Sequence, residues 1–297
     1  MTVDRRTVLR STARLATLTA SGGLLAACAS ALEPGSAEPT SVAARPQPTQ
    51  LTTTGGTDPA AGTVPETGGA PSSAAATPGS TPSIAPTTPP AAPPLAASTP
   101  AEVVNGPRDR TMVALTFHGQ GDPALATAVL EAAEKHGARL TVMVVGSWLD
   151  QQPQMAQRIL AGGHELGNHT QNHRDISSMS ADRARAEIAE CAERLQRLTG
   201  SIGRWFRPSA AQFANAMVRE QARQVGYQHC LSFDVDPHDY ADPGAHAVQQ
   251  RVLGGVSGGS VVALHMGHPG TVEALPAILD GLAGRGLQAV TASQLCS

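Results

Sequence analysis

From residue 112 onward the chain alternates short, almost unbroken apolar runs with longer stretches in which apolar residues recur every three or four positions. The short runs cover residues 112–117, 139–145, 165–167, 204–206, 227–233, 260–264 and 287–291, and their length and β-branched content predict strands. The longer stretches, residues 123–135, 153–160, 181–198, 215–225, 246–253 and 272–282, predict helices. In the last of these Val272, Leu275, Ile278, Leu279 and Leu282 share one face, with Thr271 placed as an N-cap. Seven strands, each followed by a helix or a chain end, describe an α/β protein with parallel strands. The expected architecture is a (β/α) barrel that is incomplete or distorted.

The first 105 residues carry neither period. Arg5-Arg6-Thr7-Val8-Leu9 is a twin-arginine pattern ahead of a moderately apolar stretch too short to span a membrane. That stretch ends in Leu25-Ala26-Ala27-Cys28, a lipobox-like sequence whose Cys thiol would be acylated. The expectation is export by the twin-arginine route and a lipid anchor at Cys28 on the outer face of a bacterial cytoplasmic membrane. Residues 29–105 are Ala, Pro, Thr, Ser and Gly with almost nothing to bury, so they read as a disordered tether. Residues 106–297 remain as one domain of ordinary composition.

Charge narrows the partners. The chain of 297 residues carries a formal charge of −3, and without Asp4, Arg5, Arg6, Arg10 and Arg14 the balance falls to −6. No basic field is present to bind nucleic acid. Beyond Cys28 there are Cys191, Cys230 and Cys296, which allow one disulfide in three pairings. A protein folded before export has little need of one.

The polar outliers fall at one end of the predicted strands. His118 follows the first, His169 and His173 the third, Arg207 the fourth, Asp234, Asp236, His238 and Asp239 the fifth, and His265 the sixth. Carboxyl ends of barrel strands converge on one face, where active sites are built. His169 and His173 stand four apart, and a helical turn there would bring both rings to one metal ion. With ten histidines in the chain that spacing alone is a weak signal, and Thr170 stands where a zinc protease has its glutamate. Two His plus a carboxylate with an open position is a catalytic zinc pattern suited to metal-assisted hydrolysis. No Gly-x-Ser-x-Gly elbow supports a serine hydrolase.

These residues resemble the polysaccharide deacetylases with a NodB-homology domain, carbohydrate esterase family four. The resemblance spans residues 111–295. It rests on Gly163-His164-Glu165-Leu166-Gly167-Asn168-His169-Thr170 with His173, like the family's metal-binding motif; on Phe206-Arg207-Pro208, like its Arg-Pro motif; on Asp236-Pro237-His238-Asp239-Tyr240, like its Asp-x-x-Asp-Trp motif with Tyr for Trp; and on Val262-Ala263-Leu264-His265, like its last motif. The first motif departs. Where the family has Thr-Phe-Asp-Asp-Gly-Pro, with a base Asp and a ligand Asp, this chain has Thr116-Phe117-His118-Gly119-Gln120-Gly121-Asp122-Pro123. Aligned from Phe117, His118 replaces the base and the ligand is lost at Gly119. Aligned back from Pro123, the loop is two residues longer and Asp122 could reach the ligand's place, Gly119 and Gly121 permitting unusual φ and ψ. The second arrangement is the expected one.

The resemblance implies a divalent metal held by His169, His173 and Asp122, with zinc first and cobalt, nickel or manganese as alternatives. It implies hydrolysis of N-acetyl, or O-acetyl, groups on a cell-envelope polysaccharide or peptidoglycan. His118 would take a proton from water, and His265, oriented by Asp236, would protonate the leaving amine. Arg207 would hold the base or the Asp cluster, and Tyr240 would line the sugar groove. The competing expectation is a lipid-anchored carbohydrate-binding module on the same fold that has lost turnover with the Asp pair.

Overall fold

The computed structural model describes residues 93–297; the twin-arginine pattern, Cys28 and residues 29–92 of the expected tether lie outside them. Eight strands, all paired in parallel, form one sheet. They are β1 (Glu102–Val103), β2 (Met112–Gly119), β3 (Thr141–Val144), β4 (Glu165–Asn168), β5 (Trp205–Phe206), β6 (His229–Leu231), β7 (Val261–His265) and β8 (Gln288–Val290). The order is β1-β6-β5-β4-β3-β2-β7, with β8 added on β2. The sheet curls without closing by strand pairing; a single bridge, Val235 to Val262, links the segment after β6 to β7.

Alternation along the strands explains the layers. In β2, Val113, Leu115 and Phe117 join the core that packs under the helices, while Ala114 belongs to the barrel-interior cluster with Met143, Trp205, Leu231 and Ala263. Successive side chains point to opposite faces, so Thr116 and His118 follow Ala114 inward. Both faces are apolar because both are covered, which is why the strands read as continuous apolar runs. The outer layer holds α1 (Pro123–Lys135), α2 (Gly146–Gln151), α3 (Gln154–Ala161), α4 (Ala181–Thr199), α5 (Ala216–Val225), α6 (Ala245–Gly255) and α7 (Pro269–Gly284). The short α8 (Ala292–Leu295) instead plugs the bottom of the interior with Ala292 and Leu295.

Four elements differ from the expectation. The domain starts before residue 106: Leu95 packs on the interior cluster, Ala96 donates to the Cys296 carbonyl at 3.1 Å, and β1 pairs with β6. The Ala- and Pro-rich composition of residues 93–105 hides this, because Leu95 and Val103 are its only large apolar groups with a core to enter. α2 and α8 escaped the periodic reading because neither is long enough to show a period. α7 begins at Pro269, which sets its own φ and needs no N–H partner at the first turn. Thr271 is therefore not a cap, and its hydroxyl turns elsewhere.

Among the described residues no helix is long and apolar enough to cross a membrane. Cys191, Cys230 and Cys296 are all buried and free, and burial pushes their thiols up to about 12, about 12 and about 11.

Candidate active site

The carboxyl ends of β2, β4, β5 and β7 bring four imidazoles and one guanidinium together. Arg207, directly after β5, is wholly buried. Its Nε donates to the Leu231 carbonyl at 2.8 Å, and one terminal nitrogen donates to Thr116 Oγ1 at 2.8 Å and the Ser232 carbonyl at 3.1 Å. The other faces His118 Nε2 at 3.3 Å, and the Phe233 ring lies 5.3 Å from its carbon. None of these partners is a carboxylate. Burial pulls Arg207 down to about 9, against the opposing field of Asp236.

The donors and acceptors fix the tautomers of two rings in turn. A guanidinium only donates, so His118 Nε2 carries a lone pair and Nδ1 carries the proton. His118 Nδ1 lies 2.7 Å from His265 Nε2, which must accept, and His265 Nδ1 then donates to Asp239 Oδ1 at 2.7 Å. The result is a one-way chain: Arg207 to His118 to His265 to Asp239. Asp239 Oδ2 also accepts the His265 backbone N–H at 2.8 Å and the Thr271 hydroxyl at 2.7 Å. Asp239 is 1 % exposed. His118 is held well below the ordinary imidazole range, first by burial and then by His169, Arg207, His265 and His173.

His169 is oriented by the opposite logic. Its Nδ1 meets the Arg207 carbonyl at 3.0 Å, and a carbonyl only accepts, so Nδ1 holds the proton and Nε2 is a lone pair. That Nε2 is buried with no partner. Burial, then His173, keep the ring neutral well below its usual range. His173 lies with its ring 4.8 Å away at 62°. The two are joined by an irregular turn rather than the expected helical one, with Thr170 at φ 67° and His173 at φ 52°. His118 stacks on His169 at 4.2 Å and 14°.

Two sequence assignments change. The carboxylate on His265 is Asp239, not Asp236, which accepts instead from the His238 backbone N–H at 2.8 Å. Residues 239–241 form a 3-10 turn bracketed by His238 at φ 52° and Asp242 at φ 48°, and this turn sends Asp239 inward and Tyr240 out. Asp122 is exposed at the N-cap of α1, accepting from Ala124 N–H at 2.8 Å, and is not gathered with the imidazoles. The loop before it closes too tightly for that: Gly121 sits at φ 96°, its carbonyl accepts from Trp148 Nε1 at 2.9 Å, and a Cβ there would meet Gly267 Cα at 2.6 Å. Gly119 is an ordinary strand residue facing Val142 and Val144, so no ligand could point inward from it. Tyr240 is half exposed, its ring edge-on to His265 at 5.4 Å.

The donor set fits a divalent ion through imidazole nitrogen. His169 Nε2 is the buried, oriented lone pair that such a ligand presents, its other nitrogen tied to a carbonyl as metal-bound histidines usually are. Among the described residues, however, no group of three or more His, Cys, Asp or Glu side chains is arranged around one point. A concavity of about 680 Å³ between α4 and α5 is lined by residues such as Arg185, Ala189, Glu193 and Val225 and includes none of the four imidazoles.

Residues 105–230 match the family model described as polysaccharide deacetylase. A peptidoglycan-N-acetylglucosamine deacetylase of Bacillus cereus is 31% identical over 193 residues, covering 64% of this chain and 90% of that protein. The YlxY protein of Bacillus subtilis is 27% identical over 197 residues, and the match takes in 66% of this chain but only 60% of that protein. Among solved structures, a carbohydrate esterase family four pseudoenzyme from Bacillus anthracis superposes with a TM-score of 0.63 at 25% identity, covering 67% of this chain and 70% of that one.

Proposed function

The chain belongs to the polysaccharide deacetylase family, and from that premise we propose that it hydrolyses N-acetyl groups on an acetylated cell-envelope glycan, peptidoglycan first. Relatives named for this activity act on peptidoglycan N-acetylglucosamine or on chitooligosaccharides. The observation that carries the reading is the Asp239–His265 pair beside the unpartnered Nε2 of His169, set together at the strand ends.

Members of the family are generally dependent on a divalent metal. His169 and His173 would hold it here, and imidazole donors suit zinc, with cobalt, nickel and manganese behind it. When bound, the ion supplies Lewis acidity to the acetyl carbonyl and to water. The remaining work falls to the chain's own groups. Asp239 holds His265 as the Nδ1–H tautomer and stabilises its doubly protonated form, so His265 can deliver a proton to the leaving nitrogen. His118 feeds it: the proton given up by the attacking water is taken up at His118 Nε2, in place of the long Arg207 contact, the Nδ1 proton passes to His265 Nε2 across 2.7 Å, and the same Nε2 then gives a proton to the leaving nitrogen. Arg207 holds the His118 ring and the His169 ring, one by its guanidinium and one by its carbonyl. The half-exposed ring of Tyr240 would rest on the sugar.

Two observations favour a second reading, a glycan-binding domain without turnover. Both His118 nitrogens are engaged at rest, and the carboxylate pair of the family's first motif is absent. The two readings part on acetate release from peptidoglycan fragments and N-acetylglucosamine oligomers, measured with bound metal on the same preparation. Release abolished by His265→Ala supports the deacetylase. No release from any polymer, with oligomers still bound, establishes the binding domain.

Export by the twin-arginine route, acylation of Cys28 and residence on the outer face of the membrane belong to the same proposal. They are supported by the residue patterns before residue 29.

A further inference from the structure

The chain is poor in aromatic residues, and their placement is uneven. It holds two Trp, two Tyr and four Phe. Trp148, Trp205, Tyr227, Phe117, Phe206 and Phe233 are buried; Phe213, 51% exposed, and Tyr240, 50% exposed, are the only large hydrophobic side chains left in solvent among the described residues. Both stand on loops at the carboxyl ends of neighbouring strands, Phe213 between β5 and α5 and Tyr240 between β6 and α6. A lone surface apolar group needs no explanation. Two at the same end of the sheet, one of them edge-on to His265, in a chain that buries every other Phe, Tyr and Trp, do.

The loop that carries Phe213 is fixed on both sides of it. The Gln212 carbonyl accepts from Ser232 Oγ at 2.7 Å, Gln212 Nε2 donates to the Phe233 carbonyl at 3.0 Å, and Ala214 N–H donates to Glu102 Oε1 at 2.8 Å. Ala214 is buried. Phe213 is thus held outward by a backbone pinned one residue to either side. The pins also join it to the site: Phe233 lies against Arg207, which contacts His118. A rigid, exposed ring held this way loses little side-chain freedom when a flat apolar partner covers it, and the apolar face of a pyranose ring is such a partner.

We propose that Phe213 is a platform for a sugar ring beyond the one that reacts, so that with Tyr240 it selects a chain of N-acetylhexosamines over a single sugar. The proposal rests on the glycan substrate class of the reading above. It names a residue outside the groups that move protons.

The test uses the full chain and two probes, N-acetylglucosamine and its tetramer, with binding read by calorimetry and turnover by acetate release. Phe213→Ala is expected to weaken tetramer binding between about threefold and tenfold, the range for one aromatic stacking contact. KM for the tetramer should rise with kcat unchanged, and the monomer should not respond. Phe213→Trp should keep wild-type affinity. Because the side chain is exposed, the melting temperature should stay within about a degree of wild type. Tetramer binding changed less than twofold in Phe213→Ala, or a loss shared equally by monomer and tetramer, would overturn the proposal while acetate release left the deacetylase reading standing. Phe213-dependent tetramer binding without any acetate release would support the platform and end the hydrolase reading. A wild type that bound neither probe would overturn the platform.

Discussion

At His118 one nitrogen faces a guanidinium and the other an imidazole, so the ring can exchange a proton only by passing one on. That makes His118 and His265 a unit, and units respond to mutation non-additively. His118→Ala and His265→Ala are each expected to lower kcat by roughly 10²–10⁴-fold, the usual contribution of a positioned proton carrier. The double variant should be no slower than the worse single one; losses that multiply would show two independent groups and refute the relay. Thr271 gives a finer test. Its hydroxyl is one of three donors on Asp239, and a hydrogen bond to a charged group contributes about 1.5–3 kcal/mol. Thr271→Val should cost about tenfold or more in kcat with KM unchanged, and Thr271→Ser should recover it. A loss that Thr271→Ser fails to recover would mean the site depends on side-chain shape at 271 and not on the hydroxyl.

Among the elements, the strands with continuous apolar runs were legible because a two-sided parallel sheet leaves no polar face to confuse the pattern. Their ends were legible too, and His118, His169, His173, Arg207 and His265 do meet. What sequence could not decide was direction within turns. Asp236 and Asp239 stand three apart in one loop, and only the left-handed residues on either side of the 3-10 turn decide which carboxylate faces in. Spacing permits Asp122 as a ligand; the close approach of Gly121 to Gly267 and the capping of α1, which keep it away, are tertiary facts. β1 was missed for want of length, and its value can be measured. Removing residues 93–105 strips Val103, 1% exposed, from the interior and leaves Ala214 N–H and Arg219 without Glu102. A buried Val contributes about 1.5–3 kcal/mol, and in a domain of this size each kcal/mol moves the midpoint by about 2–4 °C. The shortened domain should therefore melt about 5–10 °C lower; an unchanged midpoint would make the segment an appendage.

A pH response belongs to the junction of β3 and β4. His164 Nδ1 accepts the Leu140 N–H at 3.0 Å, so its proton sits on Nε2, facing Glu134 at 3.3 Å. Burial lowers the ring to about 4, outweighing the Glu134 carboxylate that pulls the other way. The folded value lies below the unfolded one, ~6.5, so the unfolded chain binds the extra proton first. Stability from this group is full above about pH 6.5 and is lost as pH falls toward 4, by at most about 3 kcal/mol. Melting temperature should fall between pH 7 and pH 4.5, and more shallowly in His164→Gln. Equal slopes would place the acid sensitivity elsewhere.

For the whole molecule, the free cysteines bear on the proposed route of export. A chain that must fold in a reducing compartment cannot wait for a disulfide, and Cys191, Cys230 and Cys296 are buried, unpaired and held as thiols at neutral pH. That accords with the twin-arginine pattern, which calls for folding before transport. The domain also receives its N-terminal segment on the side away from the site: the Pro93 carbonyl accepts from Arg204, just before β5, and Ala96 donates to the Cys296 carbonyl, whereas the imidazoles stand at the opposite strand ends. Cys28→Ala should then move the protein from the membrane fraction to the soluble or unprocessed pool and leave acetate release from soluble oligomers unchanged, because nothing in the site depends on the anchor. Membrane-bound, normally processed Cys28→Ala protein would refute acylation at Cys28. Loss of activity on soluble oligomers would show instead that the N-terminal segment reaches the site.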